Sequence, residues 1–220
     1  MKSIQEKIID NKIIAIIRGI EGNKIIDTVK ALIDGGIELL EIALNQSDYD
    51  KQLDDIESIR SVKKEFGEKV YLGAGTVITK EQVERVVEAG ADYIISPNTN
   101  IDVIKKTREL NKVSIPGAFT PSEIIKAHCA GANFIKVFPA SSLGVSYIES
   151  ILNVFNDIPL IAVGGIDISN MNDFINAGAV GVGVGSSLLD RQAIYEGNFD
   201  ILSKKAGEFL NILLCKNGDV

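Results

Sequence analysis

Four times along the chain a glycine is followed by isoleucine or alanine and then by a mostly apolar run: "GGIELLEIAL", "AGADYIISPN", "AGANFIKVFP" and "AGAVGVGVGS". Each run follows an amphipathic segment, the pattern of a helix that ends on a C-terminal glycine and turns into a buried strand. Four other apolar runs alternate with these: "IIAIIRG" from Ile13, "VYLGAGT" from Val70, "VSIPGAF" from Val113 and "PLIAVGG" from Pro159. Interleaved, the two sets predict eight strands, each followed by a helical pattern. Some helix starts carry explicit signals. Thr120-Pro121-Ser122-Glu123 supplies a capping threonine, a proline at the first helical position and the glutamate of a capping box, and Thr79 with Gln82 is a similar start. Ser3 to Asp10 reads as an extra helix ahead of the first strand.

Strands that are apolar on both faces and separated by helices point to a parallel sheet sheathed on its outside. Eight βα units favour an α/β fold of the (β/α)8 TIM-barrel kind, with an extra N-terminal helix, over an open doubly wound sheet. No Pro/Ser-rich linker or charge block divides the sequence, so residues 1–220 read as a single domain. Chemistry in such barrels sits at the C-terminal ends of the strands. The repeat also sets a register, because Glu41, Ile95, Lys136 and Gly183 each stand five positions after a lead-in glycine. All four fall on even-numbered strands, and alternate strands supply one layer of side chains inside a barrel. Lys136 and Glu41 are therefore expected to face each other across the interior.

A lysine in that position is not an ordinary surface charge. With an unperturbed pKa of about 10.4, roughly one lysine in 2,500 is neutral at pH 7, whereas a burial-driven drop of about three units leaves more than about a quarter neutral. The free amine attacks carbonyl carbon to form a Schiff base, an electron sink for C–C cleavage or enolisation. Glu41 is the matching general acid/base. The alternative is a structural ion pair that fills the barrel.

A second constellation lies at the ends of strands seven and eight, where Gly164-Gly165 and Gly185-Ser186 lead into loops. Glycines let backbone N–H groups approach phosphate oxygens, and barrels often bind phosphate at these two loops; the alternative is that they relieve crowding at turns. Arg18 closes the first strand, where its guanidinium suits a substrate carboxylate or pairs with Glu41. Thr76, Pro97 and Phe138 complete the rim.

Composition narrows the partners. Thirty acidic against 23 basic residues give a net charge of -7, which argues against a nucleic-acid or anionic-membrane surface. An anionic ligand must be held by local groups. Cys129 and Cys215 lack a CxxC spacing and suggest a reducing compartment. No apolar run approaches the roughly 20 residues of a membrane span, so no membrane association and a cytoplasmic location are expected. His128 is the one histidine and offers too few partners for zinc, so no metal is expected.

Taken together, "AIIRGI", "EIALN", "GAGTV", "SPN", "PGAFTPSE", "IKVFPAS", "AVGGI" and "VGVGSSL" resemble, in order and spacing, the 2-keto-3-deoxy-6-phosphogluconate (KDPG) and 4-hydroxy-2-oxoglutarate (KHG) aldolases. These are class I pyruvate aldolases. The resemblance implies reversible cleavage of KDPG or KHG to pyruvate and an aldehyde, glyceraldehyde 3-phosphate or glyoxylate. It implies that Lys136 forms the Schiff base, that Glu41 is the general acid/base, and that Arg18 and Thr76 bind the carboxylate end. Pro97 and Phe138 would line the pocket, and Gly164, Gly165 and Ser186 would hold the phosphate. It further implies keto-acid and phosphosugar-acid substrates, no cofactor and a homotrimer.

One stretch departs from the pattern. Where many KDPG members read E-[VI]-T-L-R-T, this chain reads "EIALNQ", with Ala43 and Asn45 for the threonine and arginine. It is more similar to the phosphogalactonate (KDPGal) branch, where asparagine follows E-I-P-L. Asn45 shares strand parity with Glu41 and is expected higher at the mouth, among the substrate-binding residues. Losing a guanidinium there removes a cation for a substrate oxygen. Two other readings keep the barrel: a phosphosugar-binding protein without catalysis, and a phosphosugar isomerase or synthase in which Lys136 only stabilises charge.

Overall fold

The four lead-in glycines all adopt a conformation that disfavours other residues: Gly36, Gly90, Gly131 and Gly178 have φ of 93°, 107°, 96° and 101° in the computed structural model, which describes residues 2–215. The residue after each glycine donates its N–H back to a carbonyl in the last helical turn. The pairs are Ile37 to Leu32, Ala91 to Val86, Ala132 to Ala127 and Ala179 to Phe174. This 6→1 bond is the signature of a Schellman cap, and it releases the chain directly into the next strand.

Those strands are β1 (Ile13–Arg18), β2 (Leu39–Ala43), β3 (Tyr71–Gly75), β4 (Tyr93–Ile95), β5 (Val113–Ile115), β6 (Gly117–Ala118), β7 (Ile135–Val137), β8 (Leu160–Val163) and β9 (Gly181–Val184). They form one parallel sheet of nine in the order β5-β4-β3-β2-β1-β9-β8-β7-β6. Its two ends, β5 and β6, are consecutive in the chain and separated by Pro116 alone. The expected fifth strand is thus divided. Proline has no N–H to give a ladder, so β5 pairs with β4 below the break and β6 pairs with β7 above it. Irregular bonds close the seam: Ser96 N–H to Ile115 O at 3.1 Å, and Lys136 N–H to Pro116 O at 2.9 Å. The result is a TIM-like barrel with helices outside, as the eight-unit pattern implied.

Apolar side chains divide between two cores. The larger lies between the strands and the surrounding helices; the smaller fills the barrel with Ile14, Leu39, Tyr93, Ile95, Phe134 and Ile161. Ile8 of the N-terminal helix (Ile4–Asn11) joins the inner cluster and plugs the end away from the strand C-termini. That helix begins one residue later than expected, because Ser3 serves as its cap and closes a capping box with Glu6. Capping boxes also form at Thr79 with Gln82 and at Thr120 with Glu123.

Inward register is what positions the site. Ile16 pairs with Glu41, Glu41 with Gly73, Gly73 with Tyr93, and Gly117 with Lys136. Gly73 leaves its space to Tyr93: a Cβ there would overlap the Tyr93 ring, whose hydroxyl donates to Leu40 O at 2.7 Å. Among the described residues no helix is long and apolar enough to cross a membrane.

Candidate active site

Lys136 on β7 and Glu41 on β2 both point into the barrel and are almost fully removed from water, with 5% and 1% exposure. A charge so placed normally has a partner, yet among the described residues neither oxygen of Glu41 has a hydrogen-bond partner. Lys136 and Glu41 also form no direct ion pair among those residues. A structural salt bridge is therefore not what the barrel contains. Burial raises the Glu41 carboxyl above the usual carboxylate range, opposed by the cations of Lys136 and Arg18. Burial lowers the Lys136 ammonium below the usual lysine range; Glu41 opposes this and Arg18 adds to it. Both shifts favour the neutral forms, a free amine beside a carboxylic acid.

Glu41 owes its position to another glycine. A Cβ at Gly75 on β3 would overlap Glu41 Oε1, so the absence of a side chain there makes room for the carboxyl. Gly75→Ala is expected to displace that group, lowering kcat by about 10²-fold while the circular dichroism spectrum is retained. An unchanged kcat would show that the carboxyl tolerates relocation.

Lys136 opens into a cavity of about 490 Å³ at the C-terminal end of the strands. The same cavity is lined by Arg18, Thr76, Pro97 and Phe138, and by Gly164, Gly165, Gly185 and Ser186. Nine of the residues singled out in the sequence therefore converge on one space, with Glu41 packed behind its lining. Phe138 walls it, its ring centroid 5.1 Å from Lys136 Nζ.

At one end of the cavity, Arg18 Nη2 donates to Thr76 Oγ1 at 2.9 Å rather than pairing with Glu41. Thr76 has a φ of 58°. For a β-branched residue this left-handed backbone costs on the order of 1–3 kcal/mol. The peptide is held there by Gln46, whose Nε2 donates to Thr76 O at 2.7 Å.

At the other end, Gly164 and Gly165 have φ of 95° and 71°. A Cβ on Gly164 would crowd the Phe138 ring, and one on Gly165 would overlap Ser141. Crowding thus explains part of the glycine requirement. Among the described residues, however, the N–H groups of Gly165, Ile166 and Ser186 have no intramolecular acceptor. Donors of this kind at a concave rim are suited to an anion.

Asn45 is placed differently from the expectation. It lines an adjoining cavity of about 630 Å³, which shares only Arg18 and Thr76 with the first. Its Oδ1 accepts from the N–H groups of Ser47 and Asp48, at 2.9 Å each, and from the Ser47 hydroxyl. Its own N–H donates to Asp55 Oδ2 at 2.7 Å. This Asx turn binds the side-chain oxygen to the loop, so strand parity ends at Leu44. Gly75, which makes room for Glu41, Tyr93, which fills the space left by Gly73, and Gln46, which bonds Thr76, are neighbours that the pattern did not single out.

His128 is exposed, and among the described residues no group of three or more His, Cys, Asp and Glu is arranged to hold a metal ion. Cys129 is free and exposed; the side chain of Cys215 lies outside the described part.

The family model of KDPG and KHG aldolase matches residues 4–205. The 2-dehydro-3-deoxy-6-phosphogalactonate aldolase of Escherichia coli K12 is 36% identical over 177 residues, covering 80% of this chain and 83% of that protein. The KHG/KDPG aldolase of the same organism is 33% identical, covering 81% of each. Among solved structures, the KDPG aldolase of Legionella pneumophila with pyruvate captured as a covalent carbinolamine superposes with a TM-score of 0.84 at 27% identity, covering 94% of this chain and 98% of that one.

Proposed function

The chain belongs to the KDPG and KHG aldolase family, and from that premise we propose that it is a class I aldolase reversibly cleaving KDPG or KHG to pyruvate and an aldehyde. The observation that carries this reading is the desolvated Lys136 amine at a cavity with cationic and hydroxyl groups at one end and, at the other, N–H groups without an acceptor among the described residues.

In the proposed mechanism Arg18 and Thr76 receive the substrate carboxylate, and the Gly164–Gly165 and Gly185–Ser186 loops receive the phosphate. Pro97 and Phe138 wall the carbon chain between. The neutral Lys136 amine adds to the C2 carbonyl to give a carbinolamine. Protonated Glu41 gives a proton to the departing hydroxyl, which leaves as water and yields the iminium. The Glu41 carboxylate then takes the C4 hydroxyl proton, directly or through that water. As the aldehyde carbonyl forms, the C3–C4 electron pair moves into the iminium and leaves an enamine. Protonation at C3 and hydrolysis release pyruvate and restore the amine. Burial, which raises Glu41 and lowers Lys136, moves both groups towards the state the first step needs.

The same reading makes the protein a single (β/α)8 domain over residues 1–220 that acts in the cytoplasm as a homotrimer without a metal. A second substrate, the phosphogalactonate epimer at C4, is favoured by Asn45 in place of a guanidinium and by the KDPGal-like relative. Parallel kcat/KM measurements on the gluconate and galactonate phospho-substrates and on KHG distinguish these. The phosphorylated substrates are expected to be preferred, and the favoured epimer identifies the branch. No cleavage of any of the three would contradict the proposal.

A further inference from the structure

Thr76 joins a β-branched side chain to a left-handed φ of 58°, a combination that persists only where the surroundings hold it. Its hydroxyl accepts from Arg18, so the aim of the guanidinium depends on how the Thr76 peptide is turned. The group that reaches this peptide is Gln46, exposed on the loop after β2.

Gln46 does not act alone. Its Oε1 accepts from Gln82 Nε2 at 2.9 Å, and Gln82 Oε1 accepts from the backbone N–H of Ile78 at 2.8 Å and of Thr79 at 3.3 Å. Backbone chemistry fixes both amides, because the Thr76 carbonyl can only accept and the Ile78 and Thr79 N–H groups can only donate. Reversing either amide would face like with like. A continuous path therefore runs from the capped start of the helix Lys80–Glu88, through two glutamine side chains, to the cation at the cavity. Gln46 is exposed, so it contributes little to the core; its contact of consequence is Thr76.

We propose that Gln46, braced by Gln82, is a positioning residue that holds Thr76, and through it Arg18, in the geometry that receives the substrate carboxylate. The inference rests on the aldolase reading of Arg18 and Thr76. It predicts an effect on carboxylate binding rather than on the chemistry at Lys136.

The test uses Gln46→Ala and Gln46→Glu. The second keeps length and an acceptor for Gln82 but faces a carboxylate oxygen towards the Thr76 carbonyl. Borohydride trapping of the pyruvate adduct is followed by intact mass across a range of pyruvate concentrations, for wild type and both variants. Both variants are expected to need about three- to tenfold more pyruvate for half-maximal trapping, with the limiting rate at saturation and the final adduct occupancy unchanged. Steady-state cleavage should show the same split, with a higher KM and little change in kcat. Wild-type half-saturation in both variants would overturn the inference, and so would a lowered limiting rate, which marks general disruption of the site. A wild-type protein that forms no pyruvate adduct would overturn the aldolase reading as well.

Discussion

Lys136→Met is expected to abolish turnover, lowering kcat on the order of 10⁵-fold, while the variant still folds. Methionine fills nearly the same volume in a strand whose neighbours are apolar, and it removes a buried amine rather than adding one. The loss follows from the mechanism having no second nucleophile: among the described residues lining the cavity, Lys136 is the only lysine. The substitution has a second, independent signature. Lys136 is the first of the two cations that hold the Glu41 carboxyl down against burial. Without it, Glu41 should ionise at still higher pH, which infrared titration of the protonated carboxyl can follow. A variant that retains more than about a hundredth of wild-type kcat would remove Lys136 from the chemistry, and an isomerase or synthase reading would then gain.

Glu41→Gln is expected to lower kcat about 10²- to 10⁴-fold, the range for loss of a positioned general acid/base. Pyruvate should still bind, since Arg18 and Thr76 are untouched. The pH dependence carries the more specific expectation. Trapping requires the unprotonated amine, so its rate rises with pH as Lys136 loses its proton. In wild type that rise falls below the usual lysine range, because burial is the largest influence and lowers the ammonium. Glu41 acts in the other direction, attracting the proton onto Lys136. Removing its charge must therefore move the rise to lower pH still. Trapping rate against pH in the two proteins checks the sign, and a shift to higher pH would contradict the assigned coupling. The expected pattern is an amine that is freed more easily but used less well, because the departing hydroxyl has lost its proton donor.

Much of the fold was legible because one local device recurs. Each lead-in glycine marks a Schellman cap whose φ excludes most other residues, and the strand begins three or four residues later. Lys136 and Glu41 were legible for a related reason: side-chain parity in a strand is rigid, and both stand on strands whose register the repeat fixes. Legibility ends where the chain leaves the strands. Pro116 was visible, but only pairing shows that it divides the fifth strand between two neighbours. Strand parity does not reach Asn45, which lies past the end of β2, where an Asx turn on Ser47 and Asp48 takes over. Thr76 carries a backbone conformation contrary to its own preference, imposed by contacts from residues 30 and 58 positions away. Nothing in local pattern announces Gln46, since its role exists only once β2 and β3 lie side by side. Gly164 and Gly165 are intermediate: their clustering is visible in the sequence, but crowding by Phe138 and Ser141 shows that packing also requires them.

Borohydride reduction in the presence of pyruvate, followed by intact-mass and peptide mapping of the wild type and Lys136→Met, decides whether the buried amine of Lys136 forms a Schiff base with pyruvate. One reduced pyruvate per chain, located on Lys136 and missing from the variant, is the predicted result; an unmodified wild-type chain, or an adduct on another lysine, would contradict it.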